Sequence, residues 1–230
     1  MDGLINKTTE AKTGASRFSL RRIPKQDRSR ERIDEILKVA MDLIGKKGID
    51  AVTMKEIASL SGGPIASVYQ YFPNKSAIVA TLHDSYVKQV KQLLSQALQN
   101  IRSTEDIAPA AGGLVDLYMF FVSNNPAVQD LINAAQADKM LSDMDVTAAR
   151  EVAEEFSSAT EGFIAESLRP QYGRTVFMMC HLTISLVRLI LKVSPEEGKA
   201  LLKDFKSFIG LQLSYYIPDV DHQPGRRKVG

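Results

Sequence analysis

Three histidines, His83, His181 and His222, and one cysteine, Cys180, are the side chains best suited to proton transfer, nucleophilic attack or metal ligation. Their spacing supports none of these. The chain holds no His-Glu-x-x-His, no paired cysteines, no Gly-x-Ser-x-Gly and no phosphate-binding glycine loop. Cys180 and His181 adjoin in sequence, but consecutive helix residues point about 100° apart and do not face each other. The pattern argues against an enzyme and predicts no cofactor or metal. With one cysteine and no apolar leader followed by a cleavage site, a cytoplasmic protein is expected.

The charged residues offer different chemistry. Through Lys75 there are 14 Lys+Arg against 9 Asp+Glu, and afterwards 15 against 18. A basic front on a chain of net charge +2 suits a polyanion partner, or a solvated basic tail. Residues 1–27 show no sustained apolar period and include Arg17, Arg21, Arg22 and Lys25. They read as a mobile arm that inserts into a minor groove, grazes phosphates or does neither.

The elements that would position these groups are all helical. Ile33, Ile36, Leu37, Ala40 and Ile44 recur at helical spacing and predict an amphipathic first helix closed by Gly48. Thr53 with Glu56 three residues later predicts a capping box, and Ile57, Ala58 and Leu60 a short second helix that ends at Gly62-Gly63. A third helix should begin near Pro64 and stop at Pro73-Asn74, before a long fourth over 75–100. Further helices are predicted over 109–123, 126–140, 145–168, 172–193 and 195–216, with Asn125-Pro126 and Ser194-Pro195 as starts and Glu197 completing a capping box. No alternating run suggests a strand and no internal repeat occurs, so the fold class is all-α. The apolar stretch 176–193 carries His181, Arg188 and Lys192, which favours a buried interface helix over a membrane span.

Two short helices around a glycine turn, behind a longer amphipathic one, form the arrangement that pushes one helix into the major groove of DNA. The run from Gly48 to Lys75, GIDAVTMKEIASLSGGPIASVYQYFPNK, closely resembles the DNA-binding domain of the TetR family. The family pattern is met at Gly48, Thr53, Ile57 with Ala58, Gly62, Ser67, Val68, Tyr69, Gln70, Tyr71, Phe72, Asn74 and Lys75. That resemblance implies a dimeric regulator, by default a repressor, binding a pseudo-palindromic operator in double-stranded DNA under control of a small-molecule effector. It implies phosphate contacts from Thr53, Tyr69, Tyr71 and Lys75, and base reading by Ile65, Ala66, Ser67 and Gln70 with help from Lys55. Val68, Phe72 and Ile57 read as core. Pro64 and Ile65 depart from the pattern by removing polar contacts common in relatives.

The implied organisation is a flexible arm (1–27), a three-helix DNA-binding domain with a helix-turn-helix (28–90), a helical ligand-sensing and dimerisation domain (91–218) and a flexible tail (219–230). The last two long helices would form a four-helix bundle across a two-fold axis. His181, Ser185, Arg188 and Lys192 make one polar stripe, on which Arg188 pairs across the dimer or faces a ligand carboxylate. Met119, Phe120, Asn133, Gln136, Met140, Met144, Phe156, Thr160 and Phe163, with His181 and Arg188, are candidate pocket residues; at the same spacing the apolar ones serve equally as plain core. Gly112-Gly113 marks close packing or a flexible gate. Two alternatives stand beside this reading: a helical regulator controlled by a protein partner, and a helix-turn-helix relative that no longer reads DNA specifically.

Overall fold

The computed structural model describes residues 27–217. The basic arm, with Arg17, Arg21, Arg22 and Lys25, and the tail, with His222, lie outside them. Among the described residues there are nine α-helices and no strand: α1 (Asp27–Lys47), α2 (Met54–Leu60), α3 (Ile65–Tyr71), α4 (Lys75–Leu98), α5 (Ile107–Ser123), α6 (Pro126–Ala134), α7 (Lys139–Thr160), α8 (Arg169–Ile190) and α9 (Pro195–Ser214).

The apolar stripe of α1 explains the first core. Ile33, Ile36, Ala40 and Ile44 are buried against Ile57 and Ala58 of α2, Val68 of α3, Phe72 and Ile78 of α4. Ile36, Ile57, Val68, Phe72 and Ile78 are wholly buried, each contributing on the order of 1.5–3 kcal/mol by its removal from water. Gly48 and Gly62 both take positive φ, +81° and +75°, as the turns after α1 and α2 require. Ala127 and Leu131 of α6 and Leu141 of α7 enter the same core, so the N-terminal helices rest directly on the C-terminal ones.

A second core joins the end of α4 to α5, α7, α8 and α9 through Leu94, Val115, Phe156, Val176, Ile209 and Leu213. The two halves of α4 therefore serve different cores, and the boundary drawn at residue 90 falls inside that helix. Segments Thr104–Ser123 and Glu166–Ile190 are long and apolar enough to cross a membrane by length and composition. Both contribute to the second core, through residues such as Val115 and Val176.

Helix boundaries differ from the sequence expectation where side chains compete for backbone groups. The predicted helix 126–140 is two elements, because the Asp138 carboxylate accepts the Leu141 N–H at 3.0 Å and starts α7 there. α7 ends at Thr160 and not at 168; two 3₁₀ turns, Glu161–Phe163 and Glu166–Leu168, follow. Asn125 does not cap α6: its side-chain amide donates to the Phe121 carbonyl at 2.6 Å and closes α5 instead. Ser194 caps α9 as expected, accepting the Glu197 N–H at 3.2 Å. Gly112 meets Lys206 of α9 at ordinary contact distance and Gly113 meets nothing, so neither marks a crossing that demands glycine.

Candidate functional site

The helix-turn-helix begins with the predicted capping box. The Thr53 hydroxyl accepts the Glu56 N–H at 3.3 Å, and the Glu56 carboxylate accepts from the Thr53 N–H at 3.0 Å and its hydroxyl at 2.8 Å. Lys47 of α1 donates to the same carboxylate at 2.5 Å. Lys47 first, then the Thr53 hydroxyl and amide, hold the Glu56 carboxyl down at about 2. The N-terminus of α2 is thus met by a carboxylate of its own chain.

Arg32 of α1 fixes the turn between α2 and α3. Its guanidinium donates to the Ser61 carbonyl, to Ser61 Oγ at 3.2 Å and to Ser67 Oγ at 3.2 Å, while pairing with Glu35 at 3.1 Å. A Cβ on Gly63 would lie 2.7 Å from Arg32 Nη2, so the absence of a side chain at Gly63 gives the guanidinium its place. Nothing in the sequence set Arg32 apart from the other charges on the outer face of α1.

On this frame α3 turns Ile65, Ala66, Tyr69 and Gln70 outward, with Ile65 41% and Tyr69 38% exposed. Lys55 of α2 is also exposed. Other expected contact residues have work inside the protein. Ser67 is half-buried and accepts from Arg32, which ties its hydroxyl to the turn. Tyr71 is half-buried with its ring against the first core. Lys75 donates to the carbonyls of Ile49 at 2.8 Å and Asp50 at 3.3 Å, closing the loop after α1. Pro64 is the extended N-cap of α3, one residue before the helix, and offers no side-chain cap.

A cavity of about 130 Å³ lies in the second domain between α4, α5, α7, α8 and α9. Its walls include Val90, Leu114, Val152, Phe156 and Met179, with Tyr86 and Tyr118 at one side. Of the residues predicted to line a pocket, only Phe156 does so. Thr160 is buried behind it, bonded to Tyr172 Oη at 2.7 Å. Phe163 packs in the second core, Met119 beside Tyr118, and Met140 and Met144 against the first core. Asn133 is half-buried on α6, whereas Gln136, Phe120 and His181 face outward, Phe120 being 70% exposed. The shortened α6 and the early start of α7 explain much of this, because they turn residues 133–144 toward the N-terminal helices.

Arg188 donates to the Ile132 carbonyl at 3.2 Å and to Ser185 Oγ at 3.1 Å. Its partners are thus α6 and its own helix, in place of the dimer or ligand carboxylate expected from sequence. His83 and Asp145, buried, bond at 2.7 Å between α4 and α7, and Tyr86 meets Tyr118 hydroxyl to hydroxyl at 2.7 Å.

Fold and site together define an all-helical protein that sets an N-terminal helix-turn-helix on a helical domain around an apolar cavity. Residues 36–82 match the model described as bacterial regulatory proteins, tetR family, and residues 105–216 the one described as tetracyclin repressor-like, C-terminal domain. The chain belongs to the TetR family. It is 32% identical over 109 residues to YdeS of Bacillus subtilis (strain 168), an uncharacterized HTH-type transcriptional regulator, covering 47% of this chain and 52% of that protein. It is 25% identical over 100 residues to the HTH-type transcriptional regulator LuxR of Vibrio harveyi, covering 41% and 49%. The chain thus spans about half the length of the curated relatives it matches. Among solved structures, a TetR-family regulator from Streptomyces coelicolor superposes with TM-score 0.65 at 19% identity, over 83% of this chain and 99% of that one. The SmeT–triclosan complex gives 0.61 at 18% identity, over 83% and 93%.

Proposed function

We propose that this protein is a dimeric, cytoplasmic transcriptional repressor that reads a pseudo-palindromic operator in double-stranded DNA and is controlled by a small-molecule effector. The observation that carries the reading is the outward face of α3, where Ile65, Ala66, Tyr69 and Gln70 stand on a helix whose angle is fixed by a buried core and by Arg32. Gln70 is suited to a bidentate contact with adenine, Ile65 and Ala66 to thymine methyls, and Lys55 to guanine. Tyr69, Tyr71, Lys75 and Thr53 are assigned to the backbone, which sets register without reading sequence. Residues 28–90 make the reading unit and 91–218 the sensing and dimerising unit. Apolar residues of α8 and α9 left exposed support a second copy as partner, and the cavity supports an effector. The structural likeness to SmeT, a protein solved with triclosan, is in keeping with a small apolar effector.

The test is selection of bound duplexes from a random pool by the full chain, followed by salt titration on the best site. A two-fold symmetric site is expected, with Gln70→Ala relaxing preference at one base pair in each half and Tyr69→Ala weakening all sequences alike. Absence of any enriched sequence sinks the proposal.

A further inference from the structure

The cavity wall contains no Asp, Glu, Lys, Arg or His. Its few polar groups are nearly all committed. Thr183 donates its hydroxyl to the Met179 carbonyl at 2.8 Å. Burial pushes the Cys180 thiol up to about 12, so it stays neutral. Arg188, the cation whose field reaches Tyr118, has its guanidinium turned to the Ile132 carbonyl and to Ser185.

Tyr86 and Tyr118 are the exception. Both are buried, 4% and 8% exposed, and both reach the cavity. Their hydroxyls share one hydrogen bond of 2.7 Å. Two hydroxyls bring two donor hydrogens, and one shared bond spends one of them. Burial holds both phenols well above their usual titration range, so both hydrogens are present at neutral pH. A buried donor with no acceptor is unfavourable, and a ligand acceptor at this wall relieves that. The volume of about 130 Å³ approaches that of an engineered apolar cavity of about 150 Å³ that holds benzene.

We propose that the cavity binds a neutral molecule of about one ring's size carrying a hydrogen-bond acceptor, that the Tyr86–Tyr118 pair donates its second hydrogen to that acceptor, and that carboxylates are excluded. This rests on the helical domain being the sensing domain. An anion here would be taken out of water without a partner charge, which is why the same ring bearing a carboxylate is rejected.

The experiment is calorimetric titration of the full chain, without DNA, with acetophenone, ethylbenzene and benzoate. Acetophenone is expected to bind about five- to tenfold more tightly than ethylbenzene, the worth of one hydrogen bond, and benzoate not at all. In the double variant Tyr86→Phe, Tyr118→Phe, ethylbenzene should bind as before and the acetophenone advantage should vanish. Equal binding of benzoate, no acetophenone advantage, no binding of any ring, or an advantage that survives the double variant overturns the proposal. Should the double variant not fold, the infrared carbonyl stretch of acetophenone bound to the unaltered protein decides: a downshift from its value in hexane is expected, and an unshifted band overturns it. Because no DNA is present, failure here leaves operator selection standing, and failure of operator selection leaves this result standing.

Discussion

Arg32 lies 29 residues before Ser61 and 35 before Ser67, yet its guanidinium joins both to α1 and so sets the angle at which α3 leaves the protein. Arg32→Ala leaves the Ser61 carbonyl and two hydroxyls without their donor; about 2 kcal/mol of stability should be lost in urea titration, with a matching fall in operator affinity. Arg32→Lys should recover little, since one ammonium cannot span the partners a planar fork reaches. Gly63→Ala should be destabilising in the natural protein and near neutral in an Arg32→Ala background, a double-mutant cycle that isolates their contact. Glu56 carries the pH dependence of this region. Its folded carboxyl titrates at about 2 against an ordinary 4.5, so its contribution is complete above 4.5 and is lost as pH falls from 4.5 through 2. Glu56→Gln should therefore be less stable than the natural protein at pH 6 and approach it near pH 2; urea midpoints that fall in parallel refute this. Lys75 is held by two carbonyls, which leaves its third N–H for a phosphate. Lys75→Ala should reduce the salt slope of operator binding by about 0.9, whereas a role confined to the loop lowers affinity at unchanged slope.

At the scale of elements, α6 is fastened on both sides. The Asp130 carboxylate accepts the Ile49 N–H at 2.6 Å from the loop after α1, and two residues on the Ile132 carbonyl accepts from Arg188 of α8. Movement of α8 around an occupied cavity is therefore passed to the helix-turn-helix through one short helix. Asp130→Ala should raise amide exchange at Ile49 about tenfold and weaken the effect of ligand on operator affinity, with unchanged exchange counting against the link. This fastening was not legible in the sequence, because an Asp in the middle of a short amphipathic helix looks like a solvated charge until the loop it meets is in place. Helix starts with a local signature were legible: Thr53 with Glu56 and Ser194 with Pro195 define caps within four residues. Ends decided by competition were not, as at Asp138, which opens α7 in the middle of a run whose periodicity continues unbroken. The same division holds at the sites. The outward residues of α3 follow from helical period once Val68 and Phe72 are taken as core. The cavity does not, because α4, α5, α7, α8 and α9 all supply walls and no spacing along the chain marks which apolar residues leave a gap between them.

For the whole molecule, the apolar residues that remain outside decide the assembly. Met178, Leu182 and Leu189 of α8 stay exposed at i, i+4 and i+11, and Phe208, Leu211 and Tyr215 of α9 at i, i+3 and i+7. These spacings make one stripe along each helix, while Val176, Met179, Ile209 and Leu213 on the inner faces belong to the second core. A second copy that lays the same two stripes against these removes both from water and presents two α3 helices, one to each half of a symmetric site. A glutamate at Leu211, which is 71% exposed in the single chain, adds a charge that the folded monomer tolerates and the interface does not. Light scattering should give the mass of two chains for the natural protein and of one for Leu211→Glu. Operator affinity should fall at least about a hundredfold, since each half-site is then bound without its neighbour. Circular dichroism and ethylbenzene binding should be unchanged, because Ile209 and Leu213 reach the cavity from the opposite face of α9. A Leu211→Glu protein that still has the mass of two chains would mean that the pairing surface lies elsewhere and that these stripes cover something other than a second copy.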